Sequence, residues 1–143
     1  MSEFSITSPD FEDGGEIPKE FGYKNGNNIP GIELHDAPAG TIATAMIMDD
    51  PDAMAAVGKV WVHWLSTTDG AGELFNEGKN DFGEIGYGGP APPDKRHTYI
   101  FKVYALDVIP DVAEGFSKQE LEDAMKGHII AEAKLTGTYD SFI

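Results

Sequence analysis

The chain has 143 residues, of which 41% are hydrophobic and 10% aromatic, and its formal net charge is −15. This length suits one domain covering residues 1–143, and the apolar content argues against a disordered chain. Acidic residues outnumber basic ones by 25 to 10, which excludes the broad positive face that nucleic-acid binding needs.

Cysteine is absent, which excludes disulfides, a thiol nucleophile and thiolate metal sites. Residues 1–10 show neither a basic nor an apolar leader segment, and no later stretch approaches the roughly 20 apolar residues of a membrane span. We therefore expect a cytoplasmic protein without membrane insertion. Its acidity is expected to maintain solubility, or alternatively to bind a basic partner.

The first third of the chain predicts little regular structure. Phe4 to Thr7 predicts a short strand, and residues 10–30, rich in Gly, Asn and charge, predict mostly loop. Ile32 to Leu34 predicts a second short strand. These segments are too short to form the centre of a sheet.

Three later apolar runs with β-branched residues predict the central strands. They are Thr41 to Met48, Val60 to Ser66 and Thr98 to Leu106. We found no internal repeat or low-complexity tract that would suggest a second unit.

The last third predicts one helix. Ser117 and Glu120 have the spacing of a capping box, and Gly127 suits the position after a helix end, so the helix should run from about Lys118 to Lys126. Ile129 to Leu135 has a two-residue period but also tolerates helix, and we favour a strand. Together the elements predict a β-rich domain with one or two peripheral helices near the C-terminal end.

One histidine lies in the second central run. Because side chains two residues apart share a sheet face, Trp61, His63 and Leu65 should point one way and Trp64 the other. Taken alone, His63 reads as a core histidine whose hydrogen bonds the backbone satisfies.

A second histidine, His97, begins the third run and shares a face with Tyr99. Asp50 and Asp52 flank Pro51 at the end of the first run, where a carboxylate must be solvated or hydrogen-bonded. Such a carboxylate can accept from an imidazole and leave the other ring nitrogen for a ligand. In isolation the same acidic segment reads as a simple turn.

The stretch Gly86 to Pro93 also has two interpretations. Gly and Pro clusters mark turns first, but glycines can also bring backbone N–H groups close to a small anion. The stretch lacks the Lys-Ser/Thr ending of a Walker motif, so nucleotide hydrolysis of that type is not expected.

Several segments in this order resemble the phosphatidylethanolamine-binding protein family, in its short bacterial and archaeal branch, often called Raf-kinase-inhibitor-like. The resemblance is carried by DPDA at Asp50 to Ala53, VHW at Val62 to Trp64, NDFG at Asn80 to Gly83, GYGGPAPP at Gly86 to Pro93, YALD at Tyr104 to Asp107 and GHIIAEAKLTGTY at Gly127 to Tyr139. It covers nearly the whole length.

The resemblance implies a mainly β fold in which a large antiparallel sheet packs on a smaller sheet, with one or two peripheral helices. It also implies a shallow pocket for the phosphoryl groups of lipid heads or phosphorylated peptides. By motif, the ligand-binding residues would be Asp50, Asp52, His63, Tyr87, Gly89, Pro90, His97 and Tyr99. Short relatives of this kind are often homodimers.

The resemblance also implies roles for these residues. Asp50 would orient a histidine, while His63 and His97 would donate to the anion. Tyr99 would close one wall and Tyr87 would lie at the rim.

The sequence departs from the family pattern in several places: the early segment is reduced to Ile29 to His35, the stretch between Trp64 and Asn80 is short, and two single positions differ. Met54 stands where proline is usual, and Thr98 stands where arginine is usual, with Arg96 just before the histidine.

We expect a non-enzymatic binding module for a phosphorylated or other anionic small ligand, without cofactor or metal. Modulation of a protein partner such as a kinase follows from the resemblance alone. One alternative is a hydrolase or metal-dependent enzyme that uses the His and Asp residues, although the chain has neither metal-ligand spacing nor a GxSxG motif. The other is an inhibitor that acts through the acidic surface.

Overall fold

The computed structural model describes residues 3–69 and 74–141. Within these ranges it has eight strands and two α-helices, in the order β1 (Ser5–Thr7), β2 (Gly15–Glu16), β3 (Glu33–His35), β4 (Ala43–Asp50), α1 (Ala53–Val57), β5 (Trp61–Thr68), β6 (Leu74–Glu77), β7 (His97–Leu106), α2 (Lys118–Met125) and β8 (Ile129–Tyr139).

Six strands form one sheet in the order β2-β8-β7-β4-β5-β6. All neighbours are antiparallel except β2 and β8, which pair in parallel over two residues. The three predicted central strands are confirmed as β4, β5 and β7, and β4 lies between the other two. Each predicted start or end differs from the observed one by at most two residues.

A smaller sheet of β1 and β3 packs on one face of the large sheet. Its buried residue Ile6 joins a core cluster that includes Met46, Trp64 and Phe101 from the three central strands. The predicted architecture, a mainly β domain with a large and a small sheet, is therefore confirmed.

Helix α2 covers the opposite face of the large sheet. Leu121 and Met125 pack there against Ile47 and Leu65. The predicted capping box is present, because the Ser117 side chain accepts from the Glu120 N–H and the Glu120 side chain accepts from the Ser117 N–H. The strand favoured after this helix is also confirmed, and β8 continues to Tyr139.

A β-bulge in β5 overturns the predicted alternation of its side chains. Met48 pairs with Trp64 and Asp49 pairs with Val62, so His63 is an extra residue between them. A bulge places two successive side chains on the same side of the sheet. Trp64 therefore belongs to the same cluster as Tyr99, which packs on His63, whereas Leu65 lies on the opposite face.

The second helix was expected near the C-terminal end but lies directly after β4. Helix α1 has five residues, too few to show a helical period, and Gly58 ends it with a φ of 81°. Residues 10–30 are mostly loop as predicted, apart from β2 and a short 3-10 helix at Lys19–Phe21. None of the described helices is long and apolar enough to cross a membrane.

Candidate functional site

A cavity of about 170 Å³ lies beside the end of β4 and the start of β5. We call it the His63 cavity. Its lining comes from β4, α1, β5 and two loops, and consists of Asp50, Ala53, Val57, Trp61, His63, Phe82, Ala91 and Pro93. Most of these side chains are apolar, with one carboxylate and one imidazole among them.

His97 lies between two carboxylates at the edge of this cavity. Its Nδ1 donates to Asp50 Oδ2 at 2.6 Å, and its Nε2 donates to Asp94 Oδ1 at 2.7 Å. The structure thus places Asp50 where it orients a histidine, and that histidine is His97. Carboxylates at both ring nitrogens require both to carry hydrogen, which only the imidazolium form does.

The protonation of this group follows from the same contacts. Burial opposes the charge on His97, but the hydrogen bonds to Asp50 and Asp94 outweigh it and raise the pKa of the imidazole. Burial also raises the pKa of Asp50, and the hydrogen bond from His97 offsets part of that effect. For Asp94, desolvation is outweighed by the His97 hydrogen bond, so the pKa of Asp94 is lowered.

His63 is held in the opposite charge state. Its side chain is buried, and Nδ1 donates to the Gly88 carbonyl oxygen at 2.6 Å. Burial lowers the pKa of His63 to about 4 despite that hydrogen bond. At neutral pH Nε2 therefore carries a lone pair and can accept a hydrogen bond, whereas the resemblance implied a donor.

Three buried polar atoms near the cavity make no hydrogen bond of good geometry within the protein. Asp50 Oδ1, Trp61 Nε1 and the Tyr99 hydroxyl are the atoms of this kind among the described residues. Asp50 and Trp61 line the cavity, and the Tyr99 ring packs edge-on against His63 with centroids 5.1 Å apart. Burial raises the pKa of Tyr99, and the charge of the nearby Asp50 carboxylate and a weak hydrogen bond to it add to this effect, so the Tyr99 hydroxyl keeps its proton.

Aromatic rings form one wall of the cavity. Phe82 stacks on Tyr23 with ring centroids 3.9 Å apart. It also makes T-shaped contacts with Trp61 and His63, and in each of these the ring centroids are 5.5 Å apart. Both tryptophans lie on the same side of the sheet because of the bulge. Trp61 lines the cavity, whereas Trp64 is buried in the core and its Nε1 donates to Glu77.

The glycine-rich loop does not form the expected anion nest. The Gly88 N–H donates to the His63 carbonyl oxygen, and the Gly89 N–H donates to Asn27 Oδ1 at 2.7 Å. Gly89 is instead required by close packing, since an added Cβ would overlap the Phe21 carbonyl oxygen. Pro90 lines a neighbouring cleft and not the His63 cavity.

Two further predicted residues support the site from outside. Asp52 Oδ2 accepts from the Thr98 N–H at 2.8 Å and so ties the start of β7 to the segment after β4. Tyr87 is buried, and its hydroxyl donates to the Phe21 carbonyl oxygen. The rim position expected for Tyr87 is therefore wrong. Arg96 pairs with Glu16 and Asp140 and takes no part in the cavity.

The sequence interpretation missed Asp94, Phe82 and Asn27. Asp94 and His97 are three residues apart, a spacing that could have indicated a contact at the start of a strand. Phe82 lies within a segment that carried the family resemblance, but nothing in that segment shows which residue faces the cavity. Over residues 3–69 and 74–141, no three metal-ligating side chains converge.

Two features characterise the structure. It is a mainly β domain in which a small sheet packs on a large one, and it has a cavity beside a buried Asp–His pair. Residues 7–140 match the sequence profile described as phosphatidylethanolamine-binding protein. The chain belongs to this family.

Known relatives cover almost the whole chain. A UPF0098 protein of Chlamydia muridarum is 38% identical over 146 residues, which cover 94% of this chain and 97% of the relative. A UPF0098 protein of Methanothermobacter thermautotrophicus is 38% identical, covering 90% and 93% respectively.

Two solved structures share the fold. The putative phosphatidylethanolamine-binding protein homologue CT736 of Chlamydia trachomatis has a TM-score of 0.86 and 36% identity, with 97% of this chain and 98% of that chain covered. YbcL of E. coli, described as a member of the mammalian family, also has a TM-score of 0.86, with 28% identity and 96% and 98% coverage.

Proposed function

We propose that the His63 cavity binds, without catalysis, a small ligand that carries a phosphoryl or similar oxyanion group. The observation that carries this proposal is the set of buried polar atoms at Asp50, Trp61 and Tyr99 that make no hydrogen bond of good geometry within the protein. Buried polar groups without partners are rare and cost roughly 1 to 3 kcal/mol each, so three around one cavity indicate polar groups supplied by a ligand.

The donors and acceptors among these atoms restrict the type of ligand that fits. Tyr99 and Trp61 offer donors, whereas Asp50 Oδ1 and neutral His63 Nε2 offer acceptors. A fully ionised phosphate supplies only acceptors and would be repelled by Asp50. A monoprotonated phosphoryl group, or a phosphoryl group beside an ammonium as in phosphoethanolamine, supplies both and fits better.

The size and walls of the cavity favour a small group over a whole drug-sized molecule. Its volume of about 170 Å³ is below the roughly 300 Å³ at which pockets for such molecules begin. Met54 and Val57 on α1 are half exposed beside the cavity and extend its apolar wall outwards. A ligand with an apolar portion beyond its phosphoryl group would contact them.

The overall charge of −15 opposes anion binding only at long range. At physiological ionic strength, exposed charges more than about 8 Å apart are largely screened. Direct hydrogen bonds inside the cavity then decide the affinity.

Calorimetric titration with inorganic phosphate and phosphoethanolamine tests this proposal. Tyr99→Phe removes one unpartnered donor and should weaken binding by about tenfold or more, as expected for a hydrogen bond to a charged group. The matched control is Tyr104→Phe, on the same strand but in the cluster of the opposite face. Equal, measurable binding by the protein and by Tyr99→Phe would refute the assignment.

A further inference from the structure

Asp94 occupies the one ring nitrogen of His97 that Asp50 leaves open. The Asp94 carboxylate accepts from His97 Nε2 at 2.7 Å, while Asp50 already takes Nδ1. The His97 side chain has no exposed surface, whereas the Asp94 side chain is 42% exposed and lies over it. No ring nitrogen of His97 is left for a ligand while this contact persists.

We propose that Asp94 is an intramolecular competitor that an oxyanion must displace from His97 in order to bind fully. This inference rests on the proposed function, because it concerns the same cavity. His97 and Asp94 do not line the cavity themselves, but each adjoins a residue that does, because His97 bonds Asp50 and Asp94 follows Pro93 directly. The contact between His97 Nε2 and Asp94 therefore lies just behind the cavity lining. A phosphoryl or carboxylate oxygen that replaced Asp94 Oδ1 would extend the cavity onto the imidazolium.

The charges favour this exchange. In the closed arrangement one imidazolium faces two carboxylates, which leaves the group with a net charge of −1 and repels an entering anion. When Asp94 turns away, Asp50 and His97 form a neutral pair with one N–H directed at the vacated position. The entering anion then restores the arrangement that Asp94 had provided.

The local structure allows Asp94 to leave without disturbing the core. Residues 93–96 are all exposed, so rotation of the Asp94 side chain uncovers little apolar surface. The backbone on the far side is anchored, because Arg96 pairs with Glu16 and Asp140 and the Thr98 N–H donates to Asp52. Only one side chain has to move.

A tethered carboxylate competes at an effective concentration on the order of millimolar or more. Ligand affinity is reduced by the fraction of molecules in which the site is open. Anions that bind His97 more weakly than Asp94 does are therefore excluded, and Asp94 determines which anions the cavity accepts.

The test compares the protein with Asp94→Ala and Asp94→Asn in titrations with inorganic phosphate and phosphoethanolamine. Asp94→Ala should bind at least about tenfold more tightly, and Asp94→Asn, which keeps an acceptor but not the charge, should lie between. The matched control is Asp107→Ala, which removes the same charge and another Asp–His contact, to His128, at a site remote from the cavity. The ¹⁵N signals of the His97 imidazole provide a second readout and should move in both Asp94 variants but not in the control.

The outcomes separate this inference from the proposed function. Tighter binding by the Asp94 variants with an unchanged control supports the competitor role. If the protein binds phosphate but the Asp94 variants bind no more tightly, or Asp107→Ala tightens binding equally, the competitor role is wrong and the cavity assignment stands. If the protein and both Asp94 variants bind neither compound, both proposals fail.

Discussion

At the scale of single residues, the two histidines of the site lie close together in opposite charge states. His97 has a carboxylate at each nitrogen, and these two carboxylates raise its pKa against the effect of burial. Burial lowers the pKa of His63 to about 4, because its one backbone acceptor offsets only part of the desolvation. Environments that push the pKa values of neighbouring groups apart assign different roles to chemically identical side chains. Here one imidazole supplies charge and the other supplies a lone pair.

The low pKa of His63 has a consequence for stability in acid. In the unfolded chain His63 binds a proton near its ordinary pKa of 6.5, and in the folded protein only near 4. The unfolded state thus holds more protons between these values, so the free energy of unfolding falls as the pH falls from about 6.5 to 4. The loss should reach about 3 kcal/mol.

Urea melts at several pH values check this prediction against His63→Asn, whose amide can still donate to Gly88. The free energy of unfolding of the variant should fall less between pH 6.5 and 4. The difference between the two proteins gives the contribution of His63 alone, because the opposing contribution of Asp50 is present in both. Curves that run parallel from pH 6.5 to 4 would contradict a neutral buried His63.

At the scale of elements, the cavity depends on a bulge and on a contact between two loops. The bulge in β5 turns His63 towards the cavity, and the loop of residues 22–28 fixes the glycine-rich loop. Asn27 makes this second contact, accepting from the Gly89 N–H and donating to the Tyr87 carbonyl oxygen. The position of the proline-rich wall therefore depends on a residue more than 60 positions away in sequence.

We expect Asn27→Gly to destabilise the protein by about 1 to 3 kcal/mol, because it removes both hydrogen bonds. Glycine preserves the backbone conformation there, where φ is 53°. Asn28→Gly, in the same loop but with an exposed side chain, is the control and should cost at most about 1 kcal/mol. Thermal and urea unfolding of both variants measure the difference, and equal losses would mean that Asn27 does not fix the loop.

At the scale of the whole molecule, the dominant feature is a net charge of −15 on 143 residues. Four of the six described ion pairs of Lys and Arg join exposed or partly buried side chains, and such pairs contribute little to stability. The other two join the buried Asp49 carboxylate to Lys102 and Lys118, each at 3.7 Å. Repulsion among the remaining carboxylates should therefore outweigh their attraction. Salt then acts mainly by weakening the repulsion.

Raising NaCl from about 0.05 M to 1 M, which shortens the screening length to about 3 Å, should increase the melting temperature. Calorimetry at constant pH measures the effect. A melting temperature that falls with salt would show that the ion pairs outweigh the repulsion among the carboxylates.

Most of the fold could be predicted from residue patterns within short segments of the sequence. Alternating and continuous apolar runs predicted the three central strands, and the Ser117 box predicted α2, because both signals lie within a few neighbouring residues. Helix α1 and strands β2 and β6 were not predicted, because elements of two to five residues show no period. The bulge escaped because one inserted residue reverses the alternation without changing the composition.

The sequence by itself determined the β-rich architecture, the capped helix and the segments that identify the family. It also brought Asp50, His63, His97 and Tyr99 forward as a group. Only the tertiary structure decided which hydrogen bonds these residues make: Asp50 pairs with His97 across 47 positions, His63 donates to Gly88, and Asp94 takes the last nitrogen of His97. The physical reason is that strands and helices are indicated by patterns among neighbouring residues, whereas a hydrogen bond forms between groups that are close in space, however far apart they are in sequence. The acceptors of His97 and the burial of His63 also set the charge states of the two histidines, and with them the kind of ligand proposed for the cavity.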